Sequence, residues 1–255
     1  MRSPDLPIQD VSKCYPTPGD FSYTFHISRA PALLYVNNPK CGCTTAKASL
    51  NRWYAARHNR VLEYTSMADV HSRAFNLLLT PNQVGAAAED AILRDPTFFR
   101  MTLLREPMGR LASAYASKLA WDSSERRRFN QIAGRPTESP LSYADFVSLI
   151  HEKHDLRNLN EHWRPQVRQT ASAFVMYNYI CLQETLDADL LVVRDLVFPG
   201  IDLGVFETRK HFPGTGSASA EVIATMGPRE VRMIENAYEA DFILYESVRE
   251  SRVRR

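Results

Sequence analysis

The stretch Asn37-Asn38-Pro39-Lys40-Cys41-Gly42-Cys43-Thr44-Thr45 places a lysine, a glycine and two hydroxyls between an apolar run, Ala32–Val36, and an amphipathic segment from Ala46 to about His58. That order reads as strand, tight loop and helix. Backbone N–H groups at the start of a helix and the positive end of its dipole face an anion there, and a lysine adds a full charge. In the triphosphate loop G-x-x-x-x-G-K-[ST] the lysine follows the second glycine. Here Lys40 precedes Gly42, and one glycine stands in place of two. On physical grounds the loop suits a phosphosulfate or a diphosphate equally, and an ordinary strand–helix turn with an exposed lysine is the plain alternative.

A second anion grip lies further on. Arg105 ends the apolar run Phe98–Leu104, and Ser113 follows eight residues later, in a segment whose Leu111, Ala114, Tyr115, Lys118 and Leu119 keep helical spacing after Pro107. Arginine binds phosphate bidentately, and a serine hydroxyl adds a further bond. Taken singly, Arg105 could pair with Glu106 and Ser113 could serve close packing. Taken with the loop, two grips at two strand ends imply a nucleotide with phosphates at both ends of its ribose.

The elements that must hold these residues follow from the pattern. Residues 32–37 and 98–105 read as buried strands, each followed by a helix, with Pro107 favourable in a first helical turn. Residues 1–30, with Pro4, Pro7, Pro16 and Pro18, read as an irregular lead-in. Val61–Tyr64 and Tyr177–Cys181 are short strand candidates, and 86–93, 143–151 and 186–193 are helical. Residues 121–142, polar with Gly134, Pro136 and Pro140, read as a long loop, and one helix runs from Pro228 to about Phe242. Strands alternating with helices predict an α/β fold with a mostly parallel central sheet flanked by helices.

Composition bounds the rest. The chain has 255 residues, 44% hydrophobic and 24% charged, with a net charge of +2. This suits one soluble domain over 1–255 and does not point to nucleic acid. Arg126-Arg127-Arg128 form a basic cluster, read first as solvated surface. Cys14, Cys41, Cys43 and Cys181 make neither a disulfide framework nor a zinc pattern. No apolar leader follows Met1, and the apolar runs are too short for a transmembrane segment. A cytoplasmic protein with reduced thiols is the expectation.

The sequence resembles the sulfotransferases, in particular the carbohydrate sulfotransferase branch that includes chondroitin 4-sulfotransferase and the HNK-1 sulfotransferase. Pro39-Lys40-Cys41-Gly42-Cys43-Thr44-Thr45-Ala46-Lys47 is similar to that family's 5′-phosphosulfate loop, and Leu104–Tyr115 to its 3′-phosphate motif. His162-Trp163-Arg164-Pro165-Gln166, Tyr177-Asn178-Tyr179, Glu184-Thr185-Leu186 and Tyr238–Phe242 resemble further family segments in the same order, so the likeness runs from about 32 to 246. Departures exist: Met108-Gly109 replaces a bulkier pair, Gln183 stands for an aromatic residue, and Gln169–Ala173 stand where the Golgi enzymes carry paired cysteines. The membrane anchor of those enzymes is also absent, which implies a soluble relative of bacterial type.

The resemblance implies a P-loop-like three-layer fold and transfer of a sulfuryl group from 3′-phosphoadenosine 5′-phosphosulfate (PAPS, leaving PAP) to a hydroxyl acceptor, a saccharide or glycosylated metabolite. It assigns Pro39, Lys40, Cys41, Gly42, Cys43, Thr44, Thr45, Arg105 and Ser113 to the nucleotide. Lys40 would stabilise charge on the leaving phosphate bridge. A histidine near neutral pKa suits the base that takes the acceptor proton. The resemblance favours His71 in that role, with His162 the alternative, and no metal is implied. For the acceptor, Arg126, Arg127 and Arg128 in the 121–142 segment, with His162 and Trp163, are the candidates, suited to an acidic saccharide. The competing readings are an ATP-dependent P-loop kinase, against which stand the early lysine and the lack of an acidic strand end for magnesium, and a nucleotide-binding module without catalysis.

Overall fold

The computed structural model describes residues 11–85, 92–212 and 218–253. The chain falls into two compact units, Met1–Leu104 with Arg168–Gly216, and Arg105–Val167 with Ser217–Arg255.

The first unit is built on a four-stranded sheet in the order β1-β2-β3-β4, with β1 Phe25–Arg29, β2 Ala32–Val36, β3 Phe99–Leu104 and β4 Tyr179–Leu182. β1 runs antiparallel to β2, whereas β2–β3 and β3–β4 are parallel, so this is an α/β fold with a mostly parallel sheet. The central strands are continuous apolar runs because both of their faces are buried: Leu33, Tyr35, Val36, Met101 and Leu103 are all fully buried. A helix Pro18–Thr24 (α1) precedes β1, and β2 feeds the helix Cys43–Arg57 (α2). A short helix Met67–His71 (α3) follows, closed by a capping box in which Ser66 and Asp69 exchange bonds. On one side of the sheet Leu50 and Trp53 of α2 pack with Leu190, Val193 and Phe198 of the Leu186–Val197 region.

The second unit is helical. It contains Pro107–Lys118 (α4), Ser124–Ala133 (α5) and Tyr143–Glu152 (α6). Leu186–Val197 of the first unit is α7, and the chain closes in the second unit with Pro228–Ala237 (α8) and Glu239–Val253 (α9). Its core is aromatic: Phe129, Phe146 and Trp163 lie edge-on to one another with ring centroids 5.5–5.9 Å apart.

Several expectations are corrected. The lead-in is not wholly irregular, since α1 and β1 lie within 1–30. Phe25 and Ile27 alternate with polar residues and pair with Val36 and Leu34, a weak period that the neighbouring prolines hid. Val61–Tyr64 forms no strand, as its backbone finds no sheet partner. The 121–142 segment contains α5, started by Ser123, whose hydroxyl accepts the Arg126 N–H at 3.0 Å, and stopped by Gly134 at φ +77°. The predicted single helix from 228 to 242 is two. Tyr238 leaves helical geometry at φ −122°, ψ 24° between α8 and α9. The helix expected over 86–93 lies mostly outside the described residues.

Candidate active site

The loop after β2 is fixed at its base before it turns. Asn37 and Asn38 are fully buried. Asn38 Nδ2 donates to the Leu103 carbonyl of β3 at 2.8 Å, and the Tyr35 hydroxyl donates to Asn37 Oδ1 at 3.2 Å. Gln169 Nε2 holds the Asn37 carbonyl at 3.2 Å. These bonds tie the loop to two strands, so its tip inherits the rigidity of the sheet.

The tip is sharply turned. Lys40 has φ +70° and Gly42 φ +87°. For lysine this left-handed conformation costs on the order of 1–3 kcal/mol, and strain of this kind concentrates at functional sites. At Gly42 the side chain is excluded outright, because a Cβ would lie 2.3 Å from Leu186 Cδ2. Leu186 is itself pinned. Asp189, one turn into α7, accepts the Leu182 N–H at 2.8 Å and the Thr185 hydroxyl at 2.9 Å, fixing the passage from β4 into the helix.

Gly42 is the N-cap of α2, a helix of 15 residues with no side-chain cap and no acid in its first turn. Helix geometry leaves the N–H groups of Cys43, Thr44 and Thr45 without intrahelical acceptors. The end of the helix is therefore chemically fit for an anion, with Lys40 half-buried beside it. Pro39 and Cys41 serve the loop by their backbones: both are buried, and Cys41 Sγ turns back to the Pro39 carbonyl at 3.7 Å.

His71 meets this loop. Its Nε2 lies 3.1 Å from Thr44 Oγ1, and its Nδ1 lies 3.5 Å from the Tyr23 hydroxyl. The ring is exposed. Thr45 goes elsewhere, its hydroxyl 2.6 Å from that of Thr208. Below the histidine, Lys47 is buried with its ammonium 4.2 Å from the centroid of the Tyr23 ring. Burial first, and then the charges of Lys47, Arg73 and His71, hold nearby His26 well below the usual histidine range. That neutral histidine accepts from the Asn76 amide at 3.2 Å. Lys47, Arg73 and His71 thus gather around His26, a basic corner that favours an anionic ligand.

The second motif stands in the other unit. Arg105 is the first residue after β3 and the last but one before α4. The N-terminus of α4 is taken by Glu106, whose two carboxylate oxygens accept the N–H groups of Met108 at 3.0 Å and Gly109 at 2.7 Å. An anion at this motif must therefore be held by side chains, not by the helix end. Gly109 leaves the guanidinium room, since a Cβ there would come within 3.3 Å of Arg105 Nε. Arg105 donates to the Ser219 hydroxyl at 3.3 Å, and Ser113 is 5% exposed, two turns along α4.

The acceptor candidates fare differently. Trp163 is 1% exposed, and its indole N–H donates to the Leu156 carbonyl at 2.9 Å. It is core, and the expectation that it touches substrate is corrected on that ground. Arg126 is buried and bonded to Asp122 at 3.0 Å, and Arg127 forms a forked pair with the same carboxylate at 2.8 and 3.0 Å. Arg128 is the exposed arginine of the three that forms no ion pair among the described residues. His162, the alternative base, belongs to the second unit, with its Nδ1 2.6 Å from Asn160 Oδ1. Tyr23, Lys47, Thr208 and Ser219 were not anticipated. Lys47 alone carried a signal, as the last residue of the loop motif.

The sulfotransferase family profile matches residues 23–246, nearly the whole chain, and the chain belongs to that family. Among individual proteins it is 28% identical over 109 residues to human carbohydrate sulfotransferase 14, covering 39% of this chain and 29% of that one. It is 25% identical over 173 residues to mouse carbohydrate sulfotransferase 12, covering 58% and 40%. The chain thus spans well under half the length of these curated relatives. No solved structure matches it significantly. Among the described residues no helix is long and apolar enough to cross a membrane.

Proposed function

We propose that the protein is a PAPS-dependent sulfotransferase that sulfates a hydroxyl, most naturally on a carbohydrate, and that 1–255 forms one sulfotransferase domain of the P-loop-like class acting in the cytoplasm. The observation that carries the reading is the meeting of His71 with Thr44 at the uncapped start of α2. The family match and the two carbohydrate sulfotransferase relatives support it.

The bound donor supplies the sulfuryl group. Lys40 and the first N–H groups of α2 hold the 5′ end and stabilise the negative charge that grows on the phosphate bridge. Arg105 and Ser113 hold the 3′-phosphate. His71 accepts the proton of the acceptor hydroxyl at Nε2, the nitrogen that now faces Thr44. Its Nδ1 faces the Tyr23 hydroxyl at 3.5 Å, and the tautomer that carries its proton on Nδ1 leaves Nε2 as the accepting nitrogen. Thr44 holds the ring in place through the same nitrogen until an acceptor replaces it.

Titration calorimetry separates this from a kinase. The expected result is tight binding of 3′,5′-bisphosphoadenosine without magnesium. Magnesium-dependent binding of ATP, with none of the bisphosphate, would end the sulfotransferase reading.

A further inference from the structure

Two motifs of the chain have no part in the chemistry above: His162-Trp163-Arg164-Pro165-Gln166 and Tyr238–Phe242. In the second unit they meet. The Tyr238 hydroxyl donates to the Trp163 carbonyl at 2.7 Å. Three residues on, Asp241 is 1% exposed, and its two oxygens accept the N–H of Gln166 at 2.6 Å and of Val167 at 2.9 Å. Gln166 is fully buried and turns its amide to the backbone of one residue. Its Oε1 accepts the Arg105 N–H at 3.1 Å and its Nε2 donates to the Arg105 carbonyl at 2.8 Å.

We infer that Gln166, seated by Asp241, is the positioning residue of the 3′-phosphate grip: it clamps the backbone of Arg105 and so aims the guanidinium. The inference rests on the assignment of Arg105 to the 3′-phosphate. Three observations favour aiming over simple packing. A primary amide that satisfies both backbone groups of one residue fixes that residue's peptide planes as a short strand pairing would, and Arg105 is where β3 has stopped pairing. A buried carboxylate spent on two N–H groups is a costly device unless the segment it holds must be exact in place. The far end of the same side chain is tied too, to Ser219, so Arg105 is held at both backbone and guanidinium. Neither Gln166 nor Asp241 touches the nucleotide in this account. Both act through Arg105.

The test compares two ligands that differ by one phosphate, 3′,5′-bisphosphoadenosine and adenosine 5′-monophosphate, on the full chain. Gln166→Met keeps the bulk and removes both bonds; Gln166→Asn, which keeps the amide and shortens its reach, is the second variant should the first fold poorly by circular dichroism. The expected result is a loss of about fivefold or more in the preference for the bisphosphate, with monophosphate affinity unchanged. The double variant Arg105→Ala, Gln166→Met should lose no more than Arg105→Ala alone, as positioning through Arg105 requires. Equal weakening of both ligands, or additive losses in the double variant, would overturn the clamp and leave Gln166 a structural residue. If Arg105→Ala itself leaves the bisphosphate preference intact, the fault lies in the assignment of Arg105, a distinguishable outcome.

Discussion

Single residues in the loop carry opposing demands of stability and chemistry. Lys40 sits at φ +70°, where glycine is at ease and lysine is strained. Lys40→Gly should therefore leave the thermal midpoint no lower than that of the parent protein, while sulfuryl transfer collapses, measured side by side by melting and turnover. A clear fall in stability would mean that the turn is not strained. Gly42 is the reverse case. Gly42→Ala forces a Cβ into Leu186, 2.3 Å away, from a backbone at φ +87°, and should cost on the order of 1–3 kcal/mol in urea unfolding. Leu186→Ala in the same chain should recover part of that loss, and no recovery would show that φ alone sets the cost. His71→Ala should lower kcat by about 10²–10⁴-fold with bisphosphate affinity little changed, the range for loss of a general base. Lys40 and Gly42 stood out in the sequence because the lysine, glycine and threonines stand together, whereas His71 came only from the family resemblance. Tyr23 did not stand out, because it meets His71 across a separation in sequence that only the fold closes; Asp241 stood within a recognisable segment, but its partners Gln166 and Val167 did not show.

At the scale of elements, the starts of α2 and α4 are built differently. α2 begins on Gly42 with no side-chain cap, whereas α4 begins on Glu106, which takes two N–H groups at once. Glu106→Ala should thus cost about 1 kcal/mol of stability by loss of a cap. The same change should leave transfer within a fewfold of the parent, because a capping role is local. A thousandfold fall in kcat with unchanged stability would instead place Glu106 in the chemistry. The strand–loop–helix units at 32–57 and 99–118 were readable from apolar runs and the proline after Glu106. The α5 helix was not, since Ser124–Ala133 buries only Arg126, Phe129, Asn130 and Ala133, a stripe too sparse to outweigh its charges. The break at Tyr238 was hidden for another reason: the apolar spacing of Val231, Ile234, Tyr238 and Phe242 continues through it, and the hydroxyl bond from Tyr238 to the Trp163 carbonyl leaves no mark on that spacing.

For the whole molecule, the acid side of the stability curve reads out one buried group. Burial pushes the Asp241 carboxyl up to about 6 from 3.8, against the pull of the Gln166 and Val167 N–H groups and of Arg110. A carboxyl whose folded value is raised binds a proton on folding between those two values. Its contribution is most favourable below about pH 4 and is lost as pH rises to about 6, where the ionised form must be buried. Asp241→Asn should remove that downward slope from stability measured by denaturant between pH 4 and 7, and an unchanged slope would show that Asp241 titrates normally. The fold class and the family are written along the whole chain, in motifs that keep their order from the loop at 39–47 to the turn at 238–242. Acceptor specificity is not written so, because the arginines that suggested it at 126 and 127 are spent on Asp122 within their own unit.

The central claim is that the Lys40 loop and His71 transfer a sulfuryl group, and the direct measurement is transfer of ³⁵S-labelled sulfate from PAPS to a panel of saccharides by the parent protein, Lys40→Ala and His71→Ala. The account predicts labelled product from the parent and a fall of at least a hundredfold in both variants. Transfer that survives both substitutions undiminished would contradict it.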